Sequence, residues 1–250
     1  MHGWRGWVLC LGLLCGLAAR AADEDFQRLV NDYKALVRRA EAANSPEMLL
    51  TADAIQKVEV LTDRRQLQAF GSTTDETLLL WERQIQLAEL GELLLHFKPV
   101  QANGKPDVMA NVRKLSDPLG RLNAYLVRFL AKEQDYYDAE LRRSSIDSLS
   151  DKDWTRADKQ SNDNVSLLTL ALGATADLPG KANQYRMAEA LVEAGPSVLG
   201  AMRPGQRKRL LNSLDVTYSK VDPMVRPPLD RFRQLLMSRE CVKFCAVLSQ

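Results

Sequence analysis

Apolar residues recur at steps of three and four along most of the chain from residue 26 onward, the spacing of helix faces turned to a core. Phe26, Leu29, Val30, Tyr33, Leu36, Val37 and Ala40 make the first such face, with Arg28, Asp32, Arg38 and Glu41 opposite. Asn44-Ser45-Pro46 closes this helix and opens the next, Ser45 as cap and Pro46 in the first turn. The second helix runs through Ile55, Val58 and Leu61, with room for a break near Asp63, and stops at Gly71. Ser72 and Asp75 form a capping-box pattern for a long third helix to Phe97, apolar around much of its circumference. Gly91 inside it costs about 1 kcal/mol relative to Ala, which a close helix crossing would offset.

Lys98 to Asp107 reads as a loop, with two prolines and Asn103-Gly104. Asp117-Pro118 starts a helix reaching toward Ile146, and Ser150 with Asp153 marks the next start, ended by Leu178-Pro179-Gly180. Shorter helices follow, with breaks expected at Gly195-Pro196, Pro204-Gly205, Asp222-Pro223 and Pro227-Pro228. No alternating strand pattern exceeds four residues. The fold class is therefore all-α: an elongated up-and-down helical bundle with a C-terminal group of shorter helices. Residues 22–177 form the long-helix bundle, and residues 178–250 the short-helix region, docked on the same core.

Residues 1–21 read differently. Arg5 precedes an apolar stretch, Trp7 to Ala19, and Ala19-Arg20-Ala21 fits a small-residue cleavage site. The stretch is short of the ~20 residues that span a bilayer, so the expectation is a cleaved signal peptide with export to the periplasm or beyond. No transmembrane segment is expected after cleavage. Cleavage removes Arg5 and Arg20 and no acid, so the 34 Lys and Arg fall by two, to match the 32 Asp and Glu. A mature chain without net charge is not expected to bind nucleic acid.

Chemistry-bearing motifs are scarce. His96 is the one histidine beyond the leader, which excludes multi-histidine metal sites. No P-loop, dinucleotide fingerprint, G-x-S-x-G or C-x-x-C-H occurs. No cofactor, metal or catalytic set is expected. The densest acidic group, Glu133, Asp135, Asp138 and Glu140, leaves room for carboxylate chemistry on peptidoglycan.

Charge is unevenly spread. Residues 200–250 carry ten bases and four acids, most sharply at Arg203-Pro204-Gly205-Gln206-Arg207-Lys208-Arg209. A Pro-Gly turn opening a helix sets backbone N–H groups and the positive dipole end beside cations. Arg203, Gly205, Arg207, Lys208 and Arg209 are thus a candidate small-anion site, and Arg203, Arg207 and Lys208 are expected to be removable with little loss of stability. Over ten residues, Gly205-Gln206-Arg207-Lys208-Arg209-Leu210-Leu211-Asn212-Ser213-Leu214 resembles the G-R-Q-R-x-L-S-Q-R segment of periplasmic helical sensor domains. The Ser-Gln-Arg part is missing here. The resemblance implies a helical bundle that binds a small anion.

Cys241 and Cys245 are the cysteines left after cleavage. In an oxidising compartment they are expected to join within one chain. Residues four apart on a helix have Cβ atoms ~5–6 Å apart, and a disulfide needs ~3.5–4.5 Å, so the last helix should end or tighten near Cys241. Two buried thiols and an intermolecular bridge are the alternatives. The function expected first is an exported non-enzymatic interaction protein, an adaptor, chaperone or assembly factor whose partner is another envelope protein. The alternatives are the anion-binding bundle and a carboxylate-dependent enzyme.

Overall fold

The computed structural model describes residues 24–71, 73–98, 101–102, 105–143 and 150–238. The described chain is all-α. Its helices are α1 (24–42), α2 (Ala52–Leu61), α3 (Thr74–Leu95), α4 (Val108–Lys114), α5 (Ser116–Arg143), α6 (Asp151–Asp177), α7 (Lys181–Leu199), α8 (Pro204–Lys220) and α9 (Arg226–Met237). Short 3-10 turns at Pro46–Leu50, Arg64–Ala69 and Pro223–Val225 join some of them. The loop after α3 contains a two-residue hairpin, Gln101–Ala102 against Lys105–Pro106, with Gln101 opposite Pro106.

Local chemistry explains most boundaries. α1 buries Phe26, Val30, Tyr33, Val37 and Ala40. It ends where Asn44 takes φ 50°, a left-handed residue that lets Ser45 N–H reach Ala40 O at 2.9 Å. Ser45 does not cap the next element: residues 46–50 are a 3-10 turn, and Thr51 caps α2 by accepting from Ala54 N–H. Asp63 caps the 3-10 turn that divides α2 from Gly71, so the break expected there is present. The cap of α3 is Thr73, one residue beyond Ser72, paired with Glu76 at its third position; Glu completes the motif better than Asp75 does. Ser150 and Asp153 make the expected capping box of α6. α4 was not legible as a separate helix. Its Asn111 is fully buried, and its amide donates to Leu95 O (2.8 Å) and Phe97 O (3.0 Å), satisfying the end of α3.

One expected break is absent. α7 continues through Pro196 to Leu199. A proline inside a helix removes a hydrogen bond and costs about 3 kcal/mol. Burial of Ala194 before it and of Val198 and Leu199 beyond it offsets that cost.

The core is one connected cluster running from Phe26 to Leu236. α5 and α7 make the most extensive contact, and α7 also packs on α6 and α9. Gly120 of α5 faces Asn183 of α7, whose Cβ lies 3.2 Å from where an alanine methyl would stand. Ser161 Oγ bonds Gln206 near one end of α6 and α8, and Thr217 Oγ1 bonds Leu172 O at 3.0 Å further along both. These two helices therefore run the same way. No helix among the described residues is long and apolar enough to cross a membrane.

Candidate functional site

The basic segment lies across the start of α8. Arg203 pairs with Asp158 of α6, and its backbone N–H donates to Gln206 Oε1 at 2.8 Å. Gln206 is buried and also holds Ser161 and Asn162. Pro204 offers no N–H, and the N–H groups of Gln206 and Arg207 bond Arg203 O. Little of the helix start remains to receive an anion. Arg207 points inward. It is 8 % exposed, and its guanidinium donates to Leu199 O (2.6 Å) and Ser238 O (2.5 Å). Burial lowers its pKa. Lys208, Arg209 and Gly205 are exposed, and nothing stands within 4 Å of a Cβ built on Gly205. The structure thus uses two of the four cations to hold helices together and leaves two in solvent.

The acidic group also divides. Glu133 is half-buried where three helices meet: Trp81 Nε1 of α3 donates to Oε1 at 3.1 Å, and Gln160 Nε2 of α6 to Oε2 at 3.5 Å. Desolvation raises its pKa against those two hydrogen bonds, which lower it. Around it Phe70, Trp81, Phe129, Tyr136 and Tyr137 pack edge to face, save for a tilted Trp81–Tyr137 pair, with ring centroids 5.2–6.3 Å apart, a spacing that leaves no room for a guest between neighbouring rings. Asp135 accepts from Ser197 at the surface. Asp138 is buried and accepts from Gln134, which in turn accepts from Asn164. The side chain of Glu140 lies outside what the structure describes. The residues tie helices to one another and do not converge on a shared cleft.

Cys241 and Cys245, like residues 1–21, lie outside the described residues. Among the described residues no group of three or more His, Cys, Asp or Glu is placed to hold a metal. His96 is exposed at the end of α3, its Nε2 3.4 Å from Glu92.

Residue spacing did not single out one open concavity among the described residues: a groove of about 1040 Å³ between α1 and α3. Val37 and Ala88 lie low in it, while Ile85 (56 % exposed) and Leu93 (42 %) stand in solvent along the α3 side. Both occupy one face of α3, eight residues apart. Charged residues border this strip. The α1 bank carries Lys34 and Arg38, and the α3 bank carries Glu89 and Glu92; toward the far end Glu41 faces His96 and Lys98. Lys34 and Glu89 bond across the mouth at 2.9 Å, and Glu41 accepts from Lys98 N–H at 3.2 Å. The apolar residues around much of the circumference of α3 were a readable signal, but nothing in one sequence shows which of them meets solvent.

Comparison of the chain with protein-family models, with curated proteins and with solved structures finds no match.

Proposed function

We propose that this chain is an exported, non-enzymatic interaction protein of the cell envelope, an adaptor, chaperone or assembly factor, and that the α1–α3 groove is its contact surface. The groove carries the reading. Large apolar side chains left in water along a concave, charge-bordered strip cost free energy that a partner recovers by covering them. The leader-like residues 1–21 and the balanced charge of the rest support export and a protein partner over a nucleic acid. Arg203 and Arg207, two of the four cations expected to take an anion, are engaged within the fold, which lends the ligand-binding alternative less support.

Site-specific photo-crosslinking in cells tests the reading. A crosslinker at position 85 or 93 is expected to trap one discrete protein, and a crosslinker at the equally exposed Val216 of α8 is not. The trapped band should disappear with Leu93→Asp in the chain crosslinked from position 85. Equal labelling from all three positions, or none from 85 and 93, would overturn it. Export is checked by intact mass: the mature chain should begin at Ala22.

A further inference from the structure

The groove itself says what kind of segment fits it. α1 and α3 run in the same direction. Arg83 lies over the Phe26 ring at 4.7 Å, Gln86 bonds Gln27, Lys34 bonds Glu89, and Glu41 meets Lys98, so both helices advance together along the groove. Two neighbouring helices leave a notch in which a bundle seats its next helix. The notch between α1 and α3 has no such helix among the described residues.

An extended strand would bring unpaired backbone N–H and C=O groups against the apolar floor of Val37 and Ala88, with no sheet edge there to pair them. A helix satisfies its own backbone and presents only side chains. The helical part of the α3 bank, from Gln84 to Leu95, is about 16 Å long, or about three turns.

Charge narrows the choice further. One bank is basic at Lys34 and Arg38 and the other acidic at Glu89 and Glu92. Arg38 is exposed and has no ion-pair partner among the described residues. The Lys34–Glu89 pair that crosses the mouth is partly solvated and contributes little by itself. An incoming acid can take Lys34 and an incoming base can take Glu89 at small cost.

We infer that the α1–α3 groove binds an amphipathic helix of a partner protein that has an apolar seam, one acidic flank toward Lys34 and Arg38, and one basic flank toward Glu89 and Glu92. This inference rests on the proposed interaction function and adds the chemistry of the partner to it. The two oppositely charged banks set the direction in which that helix lies, because turning it end for end exchanges its flanks.

Three synthetic helical peptides of about 18 residues test it, all with the same leucine seam: one with a Glu flank and a Lys flank, one with Glu on both flanks, and one with Lys on both. Binding to the protein is read by fluorescence anisotropy at low salt. The two-sign peptide is expected to bind at least about tenfold tighter than either uniform peptide. Ile85→Asp should abolish that binding while leaving the helical circular dichroism unchanged. Reversal of one bank, Lys34→Glu with Arg38→Glu, should move the preference to the all-Lys peptide. Equal affinities for all three, or a preference that survives bank reversal, would show that the groove does not read charge. Failure of every peptide to bind would show that the groove is not a helix site. Crosslinking from positions 85 and 93 separates the two ideas: a trapped partner alongside failed peptides overturns only the helix inference, and no trapped partner overturns the interaction reading beneath it.

Discussion

Arg207 links the ends of two helices. Leu199 O closes α7 and Ser238 O follows α9, and one guanidinium donates to both. A cation at helix C-termini meets both the orphan carbonyls and the negative end of the dipole. The structure therefore changes the expectation that this side chain is dispensable. Arg207→Ala should destabilise the protein by about 2–3 kcal/mol, read from urea denaturation, because a buried acceptor on Leu199 and a part-buried one on Ser238 lose their donor. Arg207→Lys should recover part of that loss, since an ammonium cannot span two carbonyls as the planar fork does. Lys208→Ala, at the next residue but exposed, should stay within about 0.5 kcal/mol of the parent.

Glu133 makes the opposite kind of case, a charge that the fold opposes. Its pKa is raised above the ordinary 4.5, chiefly by burial. The folded state then binds the proton more tightly than the unfolded chain. Its favourable contribution is complete below the unfolded value and is lost as pH rises through the raised folded value. Glu133→Gln cannot titrate. The stability of the parent relative to this variant is therefore expected to be greatest in acid and to fall to a lower plateau toward neutral pH, measured as paired denaturation curves across that range. A difference independent of pH would mean that the carboxyl is not desolvated.

At the scale of elements, two glycines separate what a helix tolerates from what a helix crossing requires. Gly91 lies inside α3 with nothing within 4 Å of an added Cβ. Gly91→Ala should stabilise by about 0.5–1 kcal/mol, since no crossing offsets the glycine. Gly120 is different: its added methyl would meet Asn183 Cβ at 3.2 Å, an atom next to backbone that cannot swing aside. Gly120→Ala should cost about 1 kcal/mol or more despite the better helix propensity. Thermal melts of the two variants should shift in opposite directions. Because Gly91 is buried on the α3 side away from solvent, the first substitution should also leave peptide binding at the groove unchanged.

For the whole molecule, the continuous apolar cluster and the broad α5–α7 seam predict cooperative unfolding. Thermal unfolding followed by far-UV circular dichroism and by tryptophan fluorescence should give one coincident transition. Trp81 reports on the α3–α5–α6 junction and Trp154 on the start of α6, and the far-UV signal reports on every helix, α7 to α9 included. Two separated transitions would indicate that residues 178–250 form a core of their own. On the exported protein, denatured but not reduced, alkylation is expected to leave Cys241 and Cys245 unlabelled in a monomeric chain; two labelled thiols would exclude the bond, and a dimer that vanishes with reductant would place it between two chains.

Most of the helices, and the buried face of α1, were legible in the sequence, because periodicity and caps act over a few residues. Phe26, Val30, Tyr33, Val37 and Ala40 all point inward, and the Ser150–Asp153 box starts α6. Even there, a neighbour with better chemistry moved one boundary from Ser72 to Thr73. Position in three dimensions was not legible. Arg207 and Lys208 are adjacent in sequence and read alike, yet one is buried and one exposed, because successive helical residues lie about 100° apart and only one faces the ends of α7 and α9. Pro196 looks like a stop until the packing on both sides of it is known. The groove required tertiary structure altogether: Val37 and Ile85 are 48 positions apart, and only the parallel pairing of α1 and α3 makes one surface of them. Local rules determine which residues form a helix and which face seeks a core; which helices meet, and which apolar side chains remain uncovered, depends on long-range packing that no local pattern encodes.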